Sequence, residues 1–193
     1  MSIEYYNNKA DDFFKSTIDV EMQDLYDRFE EHLMPQGHVL DAGCGSGRDT
    51  KYFLDKGYVV DAFDASEELV KLASEYTSIE VKKMYFQDFE VSNKYDGIWA
   101  CASLLHVPKN EIHYVFEKFI RALKPKGVWY MSFKLGDKER TKDGRFFNDY
   151  TIDELKELLY SYNENLQIID LWVTPDNRPE RNDNWVNAIV IKK

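Results

Sequence analysis

Long apolar runs are missing from this sequence. No hydrophobic stretch approaches the roughly 18 residues that a membrane-spanning helix requires. The N-terminal MSIEYYNNKADDFF carries acids where a secretory leader has a basic region followed by an apolar one. A cytoplasmic protein without a membrane role is expected. Cysteine is scarce as well: Cys44 and Cys101 are the only two, each inside an apolar or glycine-rich run and without CxxC spacing or a His pair nearby. No metal site is expected, and both thiols fit a reducing compartment. Basic charge is the third deficit, with 25 Lys and Arg against 35 Asp and Glu, a net charge of −10. Such a surface repels phosphate backbones, so nucleic acid is not an expected partner. There is no internal repeat and no low-complexity segment.

What is present is enough for one substantial core. The 193 residues are 44% hydrophobic, a size and composition suited to a single domain. Between Tyr5 and Leu33 the residues Phe13, Phe14, Ile18, Met22, Leu25, Phe29 and Leu33 recur at three- and four-residue steps, a helical face closed by Pro35 and Gly37. From His38 short apolar runs alternate with amphipathic stretches as far as GVWYMSFK, the rhythm of a parallel sheet covered by helices. Ser66 stands as an N-cap before Glu67 and Glu68, and Pro125 with Gly127 closes the helix ending near Leu123. KLGDKERTKDGRFFNDY then reads as polar and turn-rich, DELKELLYSY as a short helix, and LQIIDLWV with WVNAIVIKK as an antiparallel strand pair. The chain divides into an N-terminal helical cap (1–37), a core (38–133) and a segment carrying an insertion and the strand pair (134–193).

The stretch VLDAGCGSGRD carries the chemistry. Its three alternate glycines fall between a predicted strand, His38 to Asp41, and a predicted helix, Arg48 to about Asp55, where backbone can approach a ligand closely. Dinucleotide enzymes place G-x-G-x-x-G here to receive a pyrophosphate. Asp41 would repel that group and welcome a cation. Asp64 ends the next strand, where a carboxylate can accept two ribose hydroxyls, and Ala65 follows it. Asp88 in YFQDF follows the third strand, with Phe89 placed to pack on a flat base. Together the three acids specify a ligand bearing a cation, a ribose and an amino-substituted base.

These residues resemble the class I S-adenosylmethionine-dependent methyltransferase family, strongly over Val39 to Phe133. The phrases GCGSGRDTKYF, WACASLLHV and RALKPKGVWYMSFK are similar to a bacterial branch of small single-domain enzymes that includes the tellurite-resistance methyltransferases. The resemblance implies an α/β, doubly wound, mostly parallel seven-stranded sheet with an antiparallel terminal strand. S-adenosyl-L-methionine is the implied cofactor. The glycine turn (Asp41, Gly43, Gly45) would take its amino-acid part, Asp64 its ribose and Asp88 its adenine. Arg48 would lie near it, the backbone around Cys101 to Ser103 would border its methionine portion, and Tyr5 or Tyr6 would close over it.

Several residues keep two readings. His106 in SLLHVPKN is either a general base or a residue bonded to a backbone carbonyl; methyl transfer from a sulfonium depends largely on alignment, so a base need not exist. Cys101 reads as a small packing residue rather than a nucleophile. Lys134 to Tyr150, with five cations against four acids, is a solvated loop, or else Arg145 with Phe146, Phe147 and Tyr150 faces the site and recognises an anionic or planar substrate. Arg178 and Arg181 could join it. ACAS stands where amino-methylating nucleic-acid enzymes carry [D/N]-P-P-[Y/F/W], so the expected acceptor is a small molecule. A protein or RNA acceptor, a cofactor-binding module without transferase activity and a nicotinamide-dependent reductase are the alternatives.

Overall fold

The computed structural model describes residues 2–178 and 181–193. The predicted N-terminal helical face is real but broken into three pieces: α1 (Ser2–Asn8), α2 (Ala10–Thr17) and α3 (Gln23–Glu30). The breaks let one apolar periodicity serve two purposes. Leu25, Tyr26 and Phe29 of α3 are buried in the core, whereas α1 buries no residue fully and Phe13 of α2 turns toward the glycine loop.

Next come β1 (His38–Ala42), α4 (Arg48–Asp55), β2 (Val59–Asp64), α5 (Glu67–Thr77), the two-residue β3 (Lys82–Lys83), β4 (Tyr95–Ala100), α6 (Lys109–Ala122) and β5 (Leu123–Lys134). A hairpin of β6 (Glu139–Lys142) and β7 (Arg145–Asn148) precedes α7 (Ile152–Tyr160), β8 (Leu166–Pro175) and β9 (Asn184–Lys192). Seven strands form one sheet in the order β3, β2, β1, β4, β5, β9, β8. β9 runs antiparallel to both neighbours and the other pairings are parallel. The order reverses between β1 and β4, the switch point at which ligands of open α/β sheets bind beyond the strands' carboxyl ends.

Period-two alternation gives the central strands β1, β4, β5 and β9 two buried faces. Leu40, Ile98, Trp129 and Met131 face α6 and α7, while Val39, Trp99, Val128 and Tyr130 face α3 and α4. The Ser66 hydroxyl accepts the Leu69 amide as an N-cap, and Thr151 with Glu154 forms a reciprocal capping box on α7. Two expectations are corrected. β5 starts directly at Leu123, so Pro125 and Gly127 lie within its irregular first residues, where the register with β4 shifts. The stretch expected as a solvated loop is a β-hairpin whose last residues are buried: Phe147 packs inward, and the Asn148 side chain donates to the Val107 carbonyl at 3.0 Å.

Candidate functional site

The glycine loop after β1 is shaped by backbone that other residues rarely adopt. Gly43, Gly45 and Gly47 have φ of 77°, 55° and 80°. A Cβ on Gly43 would fall 2.5 Å from the Ser103 Cβ, and one on Gly45 would fall 3.1 Å from the Phe13 ring. The loop amides at Gly43 and Cys44 both donate to the Phe63 carbonyl, which ties the turn to β2.

Asp64, at the end of β2, accepts the Gly45 amide at 2.9 Å on one oxygen and the Ser66 amide at 2.9 Å on the other. Each oxygen retains a lone pair for a ligand hydroxyl. Burial pushes this carboxyl above the ordinary range, against the pull of those amides. The carboxylate therefore sets the shape of the glycine loop and also faces the cavity beside it.

The other two predicted acids stand elsewhere. Asp41 is buried behind the loop, accepts the Thr50 hydroxyl of α4 at 2.6 Å and lines neither cavity of the site. Burial, with the Asp49 charge nearby, raises its pKa. It braces the strand-to-helix turn from inside. Asp88 is exposed and also lines neither cavity, while Phe89 is enclosed in the core against Phe63, Tyr95 and Phe119. The short helical turn at Phe86–Asp88 rotates these two away, and Tyr85, Phe86 and Gln87 border the cavity instead. Asp61, read as a strand residue, pairs with His38 and accepts the Tyr95 hydroxyl away from the site.

Asp49 was not singled out in the sequence. Its carboxylate accepts Arg48 Nε at 2.7 Å and Arg48 Nη2 at 2.9 Å, the Tyr26 hydroxyl at 2.5 Å and Trp99 Nε1 at 2.9 Å. Burial works to raise its pKa, but the Arg48 guanidinium and these donors hold it below the usual range. Arg48 also reaches the Thr17 carbonyl at 3.4 Å, so it clamps α2 to the start of α4. Nothing in the spacing of an adjacent Arg-Asp pair announces this; Tyr26 and Trp99 are brought to it by tertiary packing.

His106 follows β4. Its Nδ1 lies 2.6 Å from the Phe146 carbonyl and its Nε2 lies 2.8 Å from the Tyr6 hydroxyl. A carbonyl only accepts, so Nδ1 carries the proton and the Tyr6 hydroxyl donates to Nε2. Burial, aided by the Arg145 charge, lowers the imidazole pKa to about 4. Of the two N-terminal aromatics, Tyr6 reaches into the site, while Tyr5 carries the Arg145 guanidinium over its ring at 4.4 Å. Cys101 lines the site, and burial pushes its thiol up to about 12, which leaves it a packing residue. The Ala102 amide next to it donates to the Ser132 hydroxyl at 2.8 Å.

Two cavities open at the carboxyl ends of the strands. One, of about 320 Å³, is bordered by Asp64, Ala65, Ser66, Tyr85 and Gln87. The other, of about 310 Å³, is bordered by the Arg48–Asp49 pair, Cys101, Ser132, and the β6–β7 hairpin with Arg140, Lys142 and Arg145. Arg178 and Arg181 reach it from the segment between β8 and β9. Tyr6, Phe13, Gly43, Gly45, Ala102 and His106 belong to both and form a common wall. No group of acidic, His or Cys side chains suited to a metal occurs among the described residues, and no helix there is long and apolar enough to cross a membrane.

A sheet of this order with a glycine loop at its switch point and an acid ending β2 defines an α/β protein of the methyltransferase type. Comparison with known proteins agrees. The family profile described as a methyltransferase domain matches residues 39–127. An uncharacterized methyltransferase of Staphylococcus carnosus (strain TM300) is 26% identical over 182 residues, 88% of each chain. Among solved structures, the chain is similar to the 1,6-didemethyltoxoflavin-N1-methyltransferase of Burkholderia thailandensis, determined with bound 1,6-didemethyltoxoflavin and S-adenosylhomocysteine. The TM-score is 0.77 at 23% identity, covering 100% of this chain and 91% of that one. The cyclase SpnF has the same fold, with a TM-score of 0.76 at 14% identity over 98% of this chain and 94% of that one, so the fold by itself does not name the reaction. The family match says more: residues 39–127, which include the glycine loop and Asp64, carry a methyltransferase domain.

Proposed function

We propose that this enzyme methylates a small molecule seated in the cavity under the β6–β7 hairpin, while the cavity beside Asp64 holds the nucleoside part of the cofactor. The observation that carries this reading is the common wall: two half-open cavities meet across Gly43, Ala102 and His106, so a donor in one lies against an acceptor in the other. An acceptor space of about 310 Å³ is at the scale of a small-molecule pocket. Support from relatives is of the same kind, since the toxoflavin enzyme acts on a small heterocycle.

The residues present fit the cofactor. Gly43 and Gly45 bring bare backbone to the wall of the cavity, and Asp64 offers two oxygens at the strand end. S-adenosylmethionine, when bound, supplies a methyl group on a positively charged sulfur, which an acceptor atom displaces in line. The chain's own contribution is to hold and shield. Asp64 binds the ribose hydroxyls, Tyr85 and Gln87 flank the base, and Tyr6 with Phe13 covers the junction and excludes water. Asp88 and Phe89 have no part in this. The Arg48–Asp49 clamp fixes α2, and with it Phe13, over the glycine loop.

His106 serves here as a positioning residue. Both of its ring nitrogens are engaged, one with the Phe146 carbonyl and one with Tyr6, so it holds the hairpin and α1 together over the site. Incubation with methyl-labelled S-adenosylmethionine tests the acceptor class. Label is expected in the small-molecule fraction of a cell extract; label found only in the protein or RNA fraction would overturn the small-molecule reading.

A further inference from the structure

The cations around the acceptor cavity are not equivalent. Arg140 is held by Asp149 at 2.5 and 3.3 Å, Arg178 by Asp176 at 2.8 and 2.5 Å, Arg48 by Asp49, and Lys134 by Asp183. Each has a carboxylate at hydrogen-bond distance. Arg145 does not. Its side chain is 14% exposed, and the carboxylate paired with it is that of Asp143, at 3.8 Å and itself 63% exposed. Its Nε is enclosed with no hydrogen-bond partner among the described residues. An enclosed guanidinium donor left without an acceptor is costly unless something else supplies one.

The surroundings of Arg145 hold it ready. Its guanidinium lies over the Tyr5 ring at 4.4 Å and 5.2 Å from the Phe147 ring centre, so its plane is set by aromatic rings on both the N-terminal helix and the hairpin. It borders the acceptor cavity and is absent from the walls of the nucleoside cavity. Its charge reaches the common wall, where it works against the rise of the Tyr6 pKa and lowers that of His106. A protein of net charge −10 does not attract anions in general, so a cationic cavity within it selects for one at this spot.

Building on the small-molecule acceptor proposed above, we propose that the acceptor carries an oxyanion, a carboxylate or a phosphoryl group, and that Arg145 binds it. The guanidinium fork matches either group with two parallel N–H donors, and Lys142 at the same hairpin adds charge. With the anion fixed there, the remainder of the acceptor extends along the common wall toward the methyl donor. Arg145 is then the residue that sets acceptor specificity, while the cofactor is held elsewhere.

Calorimetric titration of the S-adenosylhomocysteine-saturated protein with benzoate and with inorganic phosphate tests this. At least one of the two anions is expected to bind. Arg145→Met is expected to weaken that binding by about tenfold or more while S-adenosylhomocysteine affinity stays within about twofold. Arg145→Gln, checked by thermal unfolding, gives the same reading if the Met variant does not fold. Absence of anion binding, unchanged binding in both variants, or loss of S-adenosylhomocysteine affinity instead would each overturn the assignment, the last by giving Arg145 to the cofactor's own carboxylate. A second arm separates this inference from the reading beneath it. Label entering acceptors from the anion-exchange-retained pool of a metabolite extract supports Arg145 as anchor. Label confined to the unretained pool overturns the anion and leaves the small-molecule acceptor standing, whereas label confined to protein or RNA overturns the small-molecule acceptor itself.

Discussion

The two cavities share six wall residues and differ in almost everything else. The nucleoside side has one carboxylate, Asp64, and no Lys or Arg among its lining residues. Among the described residues, the acceptor side has seven Lys and Arg against four Asp. Most of the first is built between residues 43 and 108, from loops that directly follow parallel strands; the second gathers side chains from α3, β5, the β6–β7 hairpin and the connection between β8 and β9. The lesson is that a cofactor side can be assembled locally, by strand ends and turns. An acceptor side assembled from distant segments can be changed without disturbing it.

That contrast can be broken or sharpened experimentally. Gly43→Ala should have the largest effect, because the loop belongs to both walls. A positive φ and a Cβ placed 2.5 Å from Ser103 should cost about 3 kcal/mol or more of stability and abolish cofactor binding, read by thermal unfolding and calorimetry. Asp64→Ala should separate the two sides. It is expected to weaken S-adenosylhomocysteine binding by about 1.5–3 kcal/mol, and an equal loss for acceptor anions at saturating cofactor would show that the cavities are not independent.

Substitutions in the common wall should have smaller effects on both sides. Tyr6→Phe and His106→Gln should each cost about 1 kcal/mol, and the double variant should cost less than their sum, because the two share one hydrogen bond. Turnover that collapses in His106→Gln while ligand affinities hold would restore the general-base role. The imidazole also has a signature in stability. Its folded pKa of about 4 lies below the ordinary 6.5, so the unfolded chain takes up the proton first as pH falls. Wild-type stability should therefore decline from pH 6.5 toward 4, a slope that His106→Gln reduces. At Asp41 the sign reverses. Its folded pKa is raised, so the unfolded chain loses the proton first and stability falls as pH rises from the carboxylate range through neutrality. Asp41→Asn should flatten that fall in denaturant titrations across pH.

The division between the cavities is also the division between what could and could not be read from the sequence. The strands, the switch point, the glycine loop, Asp64 and the Ser66 cap follow from periodicity and short-range spacing, and the structure has them where the spacing puts them. Asp41 stands on the strand where the spacing puts it, while its hydrogen bond to Thr50 across the turn is a tertiary detail that spacing does not show. Asp88 and Phe89 were displaced by one short helical turn that no local pattern signals. The Asp49 network needs Tyr26 and Trp99, 23 and 50 residues away in sequence. In the 134–150 segment the balance of charges hid a hairpin, since its buried residues come only at the end, after a run that reads as solvated.

Helix α1 buries none of its residues fully, yet it touches both sides of the site. Its fastenings include Tyr6 to His106 and against Phe13, Ser2 to the Phe146 amide, Asn7 to the Ser66 hydroxyl and the Glu68 amide, and Tyr5 against Arg145. A seven-residue helix with no fully buried residue detaches at lower cost than a strand of the sheet. Its release would uncover donor and acceptor in a single event, so one latch sets the pace of exchange for both. Hydrogen exchange should then find the amides of residues 2–8 opening while β1 and β4 remain protected, and a saturating ligand on either side should slow that opening.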